Sequence, residues 1–228
     1  MTRSDDDRVA VLLDIDGTLV DSNYLHIDAW DRAFVTAGHP VEIWRIHRAI
    51  GMDSGKLIER LLGEEAAEAA EAVQREHTLL YSHMTDRLRV ITGARELLAE
   101  LSRRGHVVVL ATSAPQDELE NLLDVLQVDD AIDVVTSGED VDAAKPDPGL
   151  IQIALERASV PARRAVMVGD SVWDIEAAAR ADVTSIGVRT GGYSAEELLK
   201  AGAAAVYDDV AHLLAELDRS PLSAQARE

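Results

Sequence analysis

Six short, Val-rich apolar runs are what most constrain the fold of this chain: VAVLLD at 9–14, HVVVLAT at 106–112, DVVTS at 133–137, AVMVGD at 165–170, VTSIGV at 183–188 and AAAVYDD at 203–209. They are continuously apolar rather than alternating, which is the pattern of strands covered on both faces. Amphipathic helical stretches lie between them. ARELLAELSRRG (94–105) closes in basic residues and a glycine, as a helix C-terminus does. KPDPGLIQIALERA (145–158) offers Asp147 as an N-cap with Pro148 at the first helical position. Repeated strand–helix–strand units with right-handed crossovers predict an α/β fold built on a doubly wound parallel sheet.

The alternation breaks once. From about Asn23 to Arg89 there is only helical periodicity, in the pieces YLHIDAWDRAFVTAG, VEIWRIHRAIG, SGKLIERLLG and EEAAEAAEAVQREHTLLYSHM. The chain therefore divides into a core of residues 1–21 and 90–228 and an all-helical cap of residues 22–89, inserted after the first strand and folded over its carboxyl end. Trp30, Phe34 and Trp44 fall at helical spacings and are expected in the cap's own core. The ends, MTRSDDDR and SPLSAQARE, read as frayed.

Composition narrows the chemistry. There is no cysteine, hence no disulfide, no thiolate nucleophile and no Cys-ligated zinc. The net charge of -20 repels nucleic acid and anionic membranes. No apolar run approaches the roughly 20 residues of a membrane span, and the N-terminus lacks the layout of a signal peptide. The expectation is a cytoplasmic protein, monomer or homodimer, that binds neither nucleic acid nor membrane.

Ligands of an open parallel sheet gather at the carboxyl ends of its strands. The first run delivers Asp14 and Asp16 there, and the second Thr112 and Ser113. The loop after the third carries Lys145, and the fourth delivers Asp170 with Asp174 one helical turn on. Acids crowded in this way repel one another unless a cation sits among them. Oxygen-only ligands with room for water and a phosphate suit Mg²⁺. A phosphate adds further negative charge, for which Lys145 and the Thr112 hydroxyl are the counterweight.

DIDGT at 14–18, the hydroxyl of Thr112, the lysine of KPDP and GDSVWD at 169–174 follow one another in an order that resembles the haloacid dehalogenase superfamily, in its phosphatase branch. The helical insertion after the first motif resembles the cap of the phosphoglycolate phosphatase and β-phosphoglucomutase subgroup. The resemblance implies a Rossmann-like core and an enzyme that hydrolyses a small phosphate ester. Asp14 would be the nucleophile that forms an aspartyl-phosphate. Asp16 would be the general acid and then the base, its backbone carbonyl also meeting Mg²⁺. Asp14 and Asp170 would be direct metal ligands, with Asp174 a ligand directly or through water. Thr112 and the Ser113 N–H would bind phosphoryl oxygens, and Lys145 would bridge the phosphoryl group and Asp14.

Asp16 sets the chain apart from the dehalogenases, which lack this second acid and need no Mg²⁺. It also separates the chain from the phosphonoacetaldehyde hydrolases, which carry a small residue there and use a cap lysine as Schiff base. His26, in NYLH, falls where the mutases carry a histidine, as many capped phosphatases do; the alternative for it is a core or hinge residue. Pro115 stands where the mutases have a lysine, so phosphatase is the reading and a phosphosugar mutase the alternative. A non-catalytic binding protein would need a damaged catalytic set, and none is seen. Substrate choice falls to the cap, whose loop RAIGMDSGK (48–56) is expected to face the substrate. His26 and Lys56 are the candidate contacts, Lys56 having a solvated helix lysine as its alternative. Phosphoglycolate and hexose or pentose phosphates all remain as substrates. Asp182 occupies a turn where relatives usually have glycine, with a local structural effect expected.

Overall fold

The computed structural model describes residues 8–141 and 145–225. The chain runs β1 (Ala10–Leu13), β2 (Val20–Asp21), α1 (Asn23–Thr36), α2 (Ile43–His47), α3 (Ser54–Leu62), α4 (Ala66–Ser82), β3 (Arg89–Val90), α5 (Ala94–Arg103), β4 (Val107–Ala111), α6 (Gln116–Leu126), β5 (Val134–Thr136), α7 (Gly149–Ala158), β6 (Ala165–Gly169), α8 (Val172–Arg180), β7 (Thr184–Val188), α9 (Ala195–Ala201), β8 (Ala205–Tyr207), α10 (Val210–Ala215) and α11 (Pro221–Gln225).

Six strands form one parallel sheet in the order β5-β4-β1-β6-β7-β8. Each lies inside one of the six apolar runs. The chain moves outward from β1 through β4 to β5, then returns to the other side of β1 for β6. The strand order thus reverses beside β1, which is where such sheets open a ligand crevice. Val11, Leu13, Val108, Leu110, Val166 and Val168 face one side, beneath Leu97, Leu98 and Leu101 of α5, Leu119 and Leu122 of α6 and Leu213 of α10. Leu12, Val107, Val109 and Met167 face the other, against Ile151 and Ala154 of α7 and Ala177 and Ala178 of α8. Both faces are covered by apolar side chains, and each buried Val or Leu contributes about 1.5–3 kcal/mol.

Asp14, Thr112 and Asp170 belong to the apolar runs but lie just past the strand ends. Asp14 N–H still donates to Val168 O (3.0 Å) and Thr112 N–H to Thr136 O (3.2 Å). The ladder therefore fixes the backbone while the side chains leave the sheet. At α7 the cap is shifted by one residue from expectation. Pro148 is the N-cap and the Asp147 carboxylate accepts from Gly149 N–H at 3.1 Å, because a carboxylate two residues back closes a side-chain turn as well as a cap.

Helices α1 to α4 lie between β2 and β3, which pair antiparallel, Val20 with Val90 and Asp21 with Arg89. The chain leaves and re-enters the core side by side. Two residues per strand are too few to show a period, so this ribbon is not visible in the sequence. The insertion has its own apolar cluster, including Trp30, Phe34, Ile46, Leu57, Ile58 and Val73. Leu25 and Ala29 of α1 and Tyr81 of α4 instead join the core beneath the sheet. Trp44 departs from expectation: it is 67% exposed. The short α2 buries Ile46, and two residues earlier is about 200° around the helix.

The C-terminal stretch also departs from expectation. Ser220 is buried, and Leu222 of α11 packs into the sheet's core cluster, so residues 220–225 are docked. Of the N-terminal end expected to fray only Arg8 is described, half-buried; residues 1–7 and 226–228 lie outside the described residues. Asp182 is exposed and takes φ 55, the left-handed region that explains a preference for glycine in this turn. Among the described residues no helix is long and apolar enough to cross a membrane.

Candidate active site

After β1 the chain reverses in a tight turn, closed by Gly17 N–H to Val20 O (2.8 Å) and Val20 N–H to Ile15 O (2.9 Å). Gly17 has φ +74, and a Cβ there would overlap the side chains of Asn23 and Asp170. The turn points its two acids apart. Asp14 reaches Lys145 Nζ at 2.5 Å. Asp16 accepts from Ser22 Oγ at 2.6 Å and lies 3.5 Å from His26 Nε2.

Asp14, Asp170 and Asp174 converge, with one carboxylate oxygen of each within 4.8 Å of the others, and all three are buried. Asp170 accepts from Thr18 Oγ1 (2.9 Å) and Asn23 Nδ2 (2.8 Å). Asp174 splits its duties. One oxygen accepts from Ser171 N–H (3.1 Å) and Oγ (2.6 Å) in the capping box of α8, and the other is 2.8 Å from Lys145 Nζ. Lys145 is 1% exposed and sits between Asp14 and Asp174.

Three buried carboxylates lie around one ammonium, and the titration of Asp14 and Asp170 shows the imbalance. Burial pushes Asp14 well above the usual carboxylate range, Lys145 offsetting only part of the effect. Burial, then the charge of Asp174, pushes Asp170 up to about 7. Burial also works against the Lys145 ammonium, but Asp14 and Asp174 outweigh it and hold the pKa above that of an ordinary lysine. The donor set is oxygen only and carries excess negative charge away from water. A hard divalent cation fits both features.

On the opposite side of Asp14 lies the end of β4. Thr112 Oγ1 accepts from Ala114 N–H (3.0 Å), leaving its own proton to donate elsewhere. The Ser113 hydroxyl is buried with no hydrogen-bond partner among the described residues. Both residues border a cavity that Asp14 and Asp16 also line and that the insertion roofs. The insertion is closed onto the core. Arg48 pairs with Glu197 (2.5 Å) and lies over the Tyr193 ring (4.2 Å). His47 Nε2 meets Gly191 O (2.9 Å), and Asp53 N–H donates to Lys145 O (3.1 Å).

With this arrangement in view, residues 11–188 match the haloacid dehalogenase-like hydrolase family. The chain belongs to that family. A phosphoglycolate phosphatase of Rhodospirillum rubrum is 33% identical over 214 residues, covering 90% of this chain and 88% of that protein. A phosphorylated carbohydrates phosphatase of Thermotoga maritima is 31% identical, covering 86% of this chain and 93% of that one. Among solved structures, a hydrolase from Pseudomonas syringae superposes with a TM-score of 0.88 at 34% identity, covering 93% of this chain and 99% of that one. Both the family and the fold expected from the sequence are thus met.

Of the residues singled out in this hydrolase from its sequence, Asp14, Asp16, Thr112, Ser113 and His26 line the cavity. Lys145, Asp170 and Asp174 are packed around Asp14. Asp16 keeps its carboxylate outside the acidic triad. Lys56 is not brought to the cavity. It lies in the first turn of α3, whose Ser54 and Leu57 face inward instead, and its N–H donates to the Asp53 cap (3.2 Å).

Among the cavity residues that had not been singled out are His77 and Glu118. His77 stacks on Trp30 (3.8 Å between centroids), its Nε2 is 3.2 Å from His26 Nδ1, and His26 stacks on Tyr81 (3.9 Å). Burial, then the neighbouring His26, holds His77 well below the usual histidine value. Burial opposes charge on both His26 and Asp16. Their mutual contact, aided by Glu118 near His26 and Ser22 on Asp16, raises the former and lowers the latter. The signal for both missed residues was spacing: Val73–His77–Tyr81 and Glu118–Leu122–Leu126 are i, i+4, i+8 series on buried faces.

Burial pushes the Glu118 carboxyl up to about 7. A raised carboxyl favours folding at acid pH, and that contribution is lost as pH rises through the folded value. Exchanging Glu118 for Gln is therefore expected to make the protein progressively more stable than wild type between about pH 4 and 8, by roughly 1–3 kcal/mol at the alkaline end. Urea unfolding at several pH values measures this, and a pH-independent difference would refute it.

Proposed function

We propose that this protein hydrolyses a small phosphomonoester through an aspartyl-phosphate on Asp14, with Mg²⁺ as its divalent cation. The observation that carries the reading is Asp14 itself. It is a buried carboxylate that faces the cavity, is held by Lys145, stands beside Asp170 and Asp174, and lies opposite the hydroxyls of Thr112 and Ser113. The relatives named as phosphatases of phosphoglycolate and of phosphorylated carbohydrates support the same chemistry.

An Asp14 oxygen attacks phosphorus while Lys145 orients the carboxylate. Thr112 and Ser113 donate to phosphoryl oxygens, and Asp16, which takes a proton from the neighbouring His26 imidazolium 3.5 Å away, passes it to the departing alcohol oxygen. Water then attacks the phosphorylated Asp14, Asp16 takes its proton, and inorganic phosphate leaves with the carboxylate restored. Mg²⁺, held by Asp14, Asp170, the Asp16 carbonyl and Asp174 directly or through water, would neutralise phosphoryl charge. The insertion roofs the cavity and so favours small esters.

Hydrolysis of p-nitrophenyl phosphate with stoichiometric release of phosphate tests this reading. Isomerisation of a sugar monophosphate without phosphate release would replace it by a mutase. The role of Asp16 has its own signature. Asp16→Asn is expected to lose ~10²–10⁴-fold on alkyl phosphates and much less on nitrophenyl phosphate, whose leaving group needs no proton. Equal losses on both would remove Asp16 as the acid.

A further inference from the structure

The phosphoryl chemistry accounts for one end of the cavity and leaves Glu118 unused. This residue occupies the first turn of α6, is 9% exposed and lines the cavity. Among the described residues no donor is hydrogen-bonded to its carboxylate, although its own N–H is held by Asp117 (3.0 Å). A buried carboxyl without a partner is costly unless something else completes it. The same cavity is lined by His26 of α1, which pairs with Asp16, by the neutral side chains of Ser54 of α3 and Gln74 and Thr78 of α4, and by His77 of α4. Among the described residues no lysine or arginine lines the cavity.

We propose that Glu118 is a specificity-determining residue, which hydrogen-bonds a hydroxyl of a neutral polyol phosphate and disfavours esters whose alcohol part carries a second anion. The inference rests on the phosphatase reading and narrows it to sugar or sugar-alcohol phosphates over phosphoglycolate. A hydroxyl suits Glu118 in either protonation state, since it donates to the carboxylate and accepts from the acid. Among the described residues, a glycolate carboxylate would meet Glu118 with no lysine or arginine beside it and only His26, already paired with Asp16, to offset the charge, and Asp16 adds to the repulsion. Sites built to pair a substrate hydroxyl discriminate strongly, because an analogue without it leaves the buried group unpaired.

The test measures kcat and KM of the Mg²⁺-loaded enzyme for a hexose 6-phosphate, a pentitol phosphate, phosphoglycolate and p-nitrophenyl phosphate. Wild type should favour the best polyol phosphate over phosphoglycolate by at least about tenfold in kcat/KM. Glu118→Ala should lower the ratio of polyol to nitrophenyl kcat/KM by about ten- to a hundredfold, mostly through KM. Glu118→Gln keeps the shape and the hydrogen bonding. It should restore most of the polyol activity and raise phosphoglycolate turnover, and it covers the case in which the alanine variant fails to fold. A wild-type preference for phosphoglycolate, or equal losses on every ester in both variants, overturns the assignment of Glu118 while leaving the phosphatase reading intact. Absence of turnover on all four esters, nitrophenyl phosphate included, overturns the phosphatase reading and this inference with it.

Discussion

Asp14→Asn is expected to leave a folded protein with no detectable phosphoenzyme and turnover lowered on the order of 10⁴-fold or more. The amide has the shape of the carboxylate but cannot attack phosphorus. Folding should survive because Lys145 keeps Asp174 at 2.8 Å, and because burial already disfavours the charged form of Asp14 when no cation is present. In EDTA the variant should melt at or above the wild-type temperature, since one of three crowded acids has become neutral. Acid-quenched incorporation of labelled phosphate and steady-state release of phosphate measure the two activities. Labelled protein or near-normal turnover in Asp14→Asn would show that another group is the nucleophile.

The core and the placing of the candidate site residues at its strand ends were legible in the sequence for the same reason. A strand buried on both faces must be continuously apolar, so the polar residues that end it stand out. LLD, LAT and MVGD each break at the point where the chain leaves the ladder, and Asp14, Thr112 and Asp170 are those breaks. The cavity wall was much harder to see. Glu118 and His77 lie on the buried faces of amphipathic helices, where a polar residue in an apolar series reads as an imperfection of the pattern. Only the three-dimensional arrangement shows that the two face one opening. Trp44 departs in the reverse direction, and Lys56 is not among the residues that line the cavity. Helix α2 is too short to define an inward face, and one residue of phase on α3 separates Ser54 and Leu57, which line the cavity, from Lys56, which does not. The docking of α11 was hidden because a single leucine, Leu222, anchors a polar segment.

Removing the metal should be as damaging as removing the nucleophile, and Asp170 is where the two effects can be joined. Chelation by EDTA is expected to abolish turnover and Mg²⁺ to restore it. Ca²⁺ should inhibit, because its larger, looser coordination misplaces the phosphoryl group relative to Asp14. The same cation should stabilise the fold. Burial and Asp174 hold Asp170 at about 7 without metal, so a bound cation relieves a repulsion that the folded protein otherwise carries. At about a hundredfold excess over its dissociation constant a ligand adds ~2.7 kcal/mol to stability, readily seen as a rise in melting temperature. Asp170→Ala should lose both the turnover and the Mg²⁺-induced rise, and it strands the donors Thr18 and Asn23. Asp170→Asn, which keeps an acceptor for Thr18, separates lost metal binding from lost packing. If Asp170→Asn retains a full thermal response to Mg²⁺ together with full turnover, the metal centre does not include Asp170 and the acidic triad is a structural cluster neutralised by Lys145 alone.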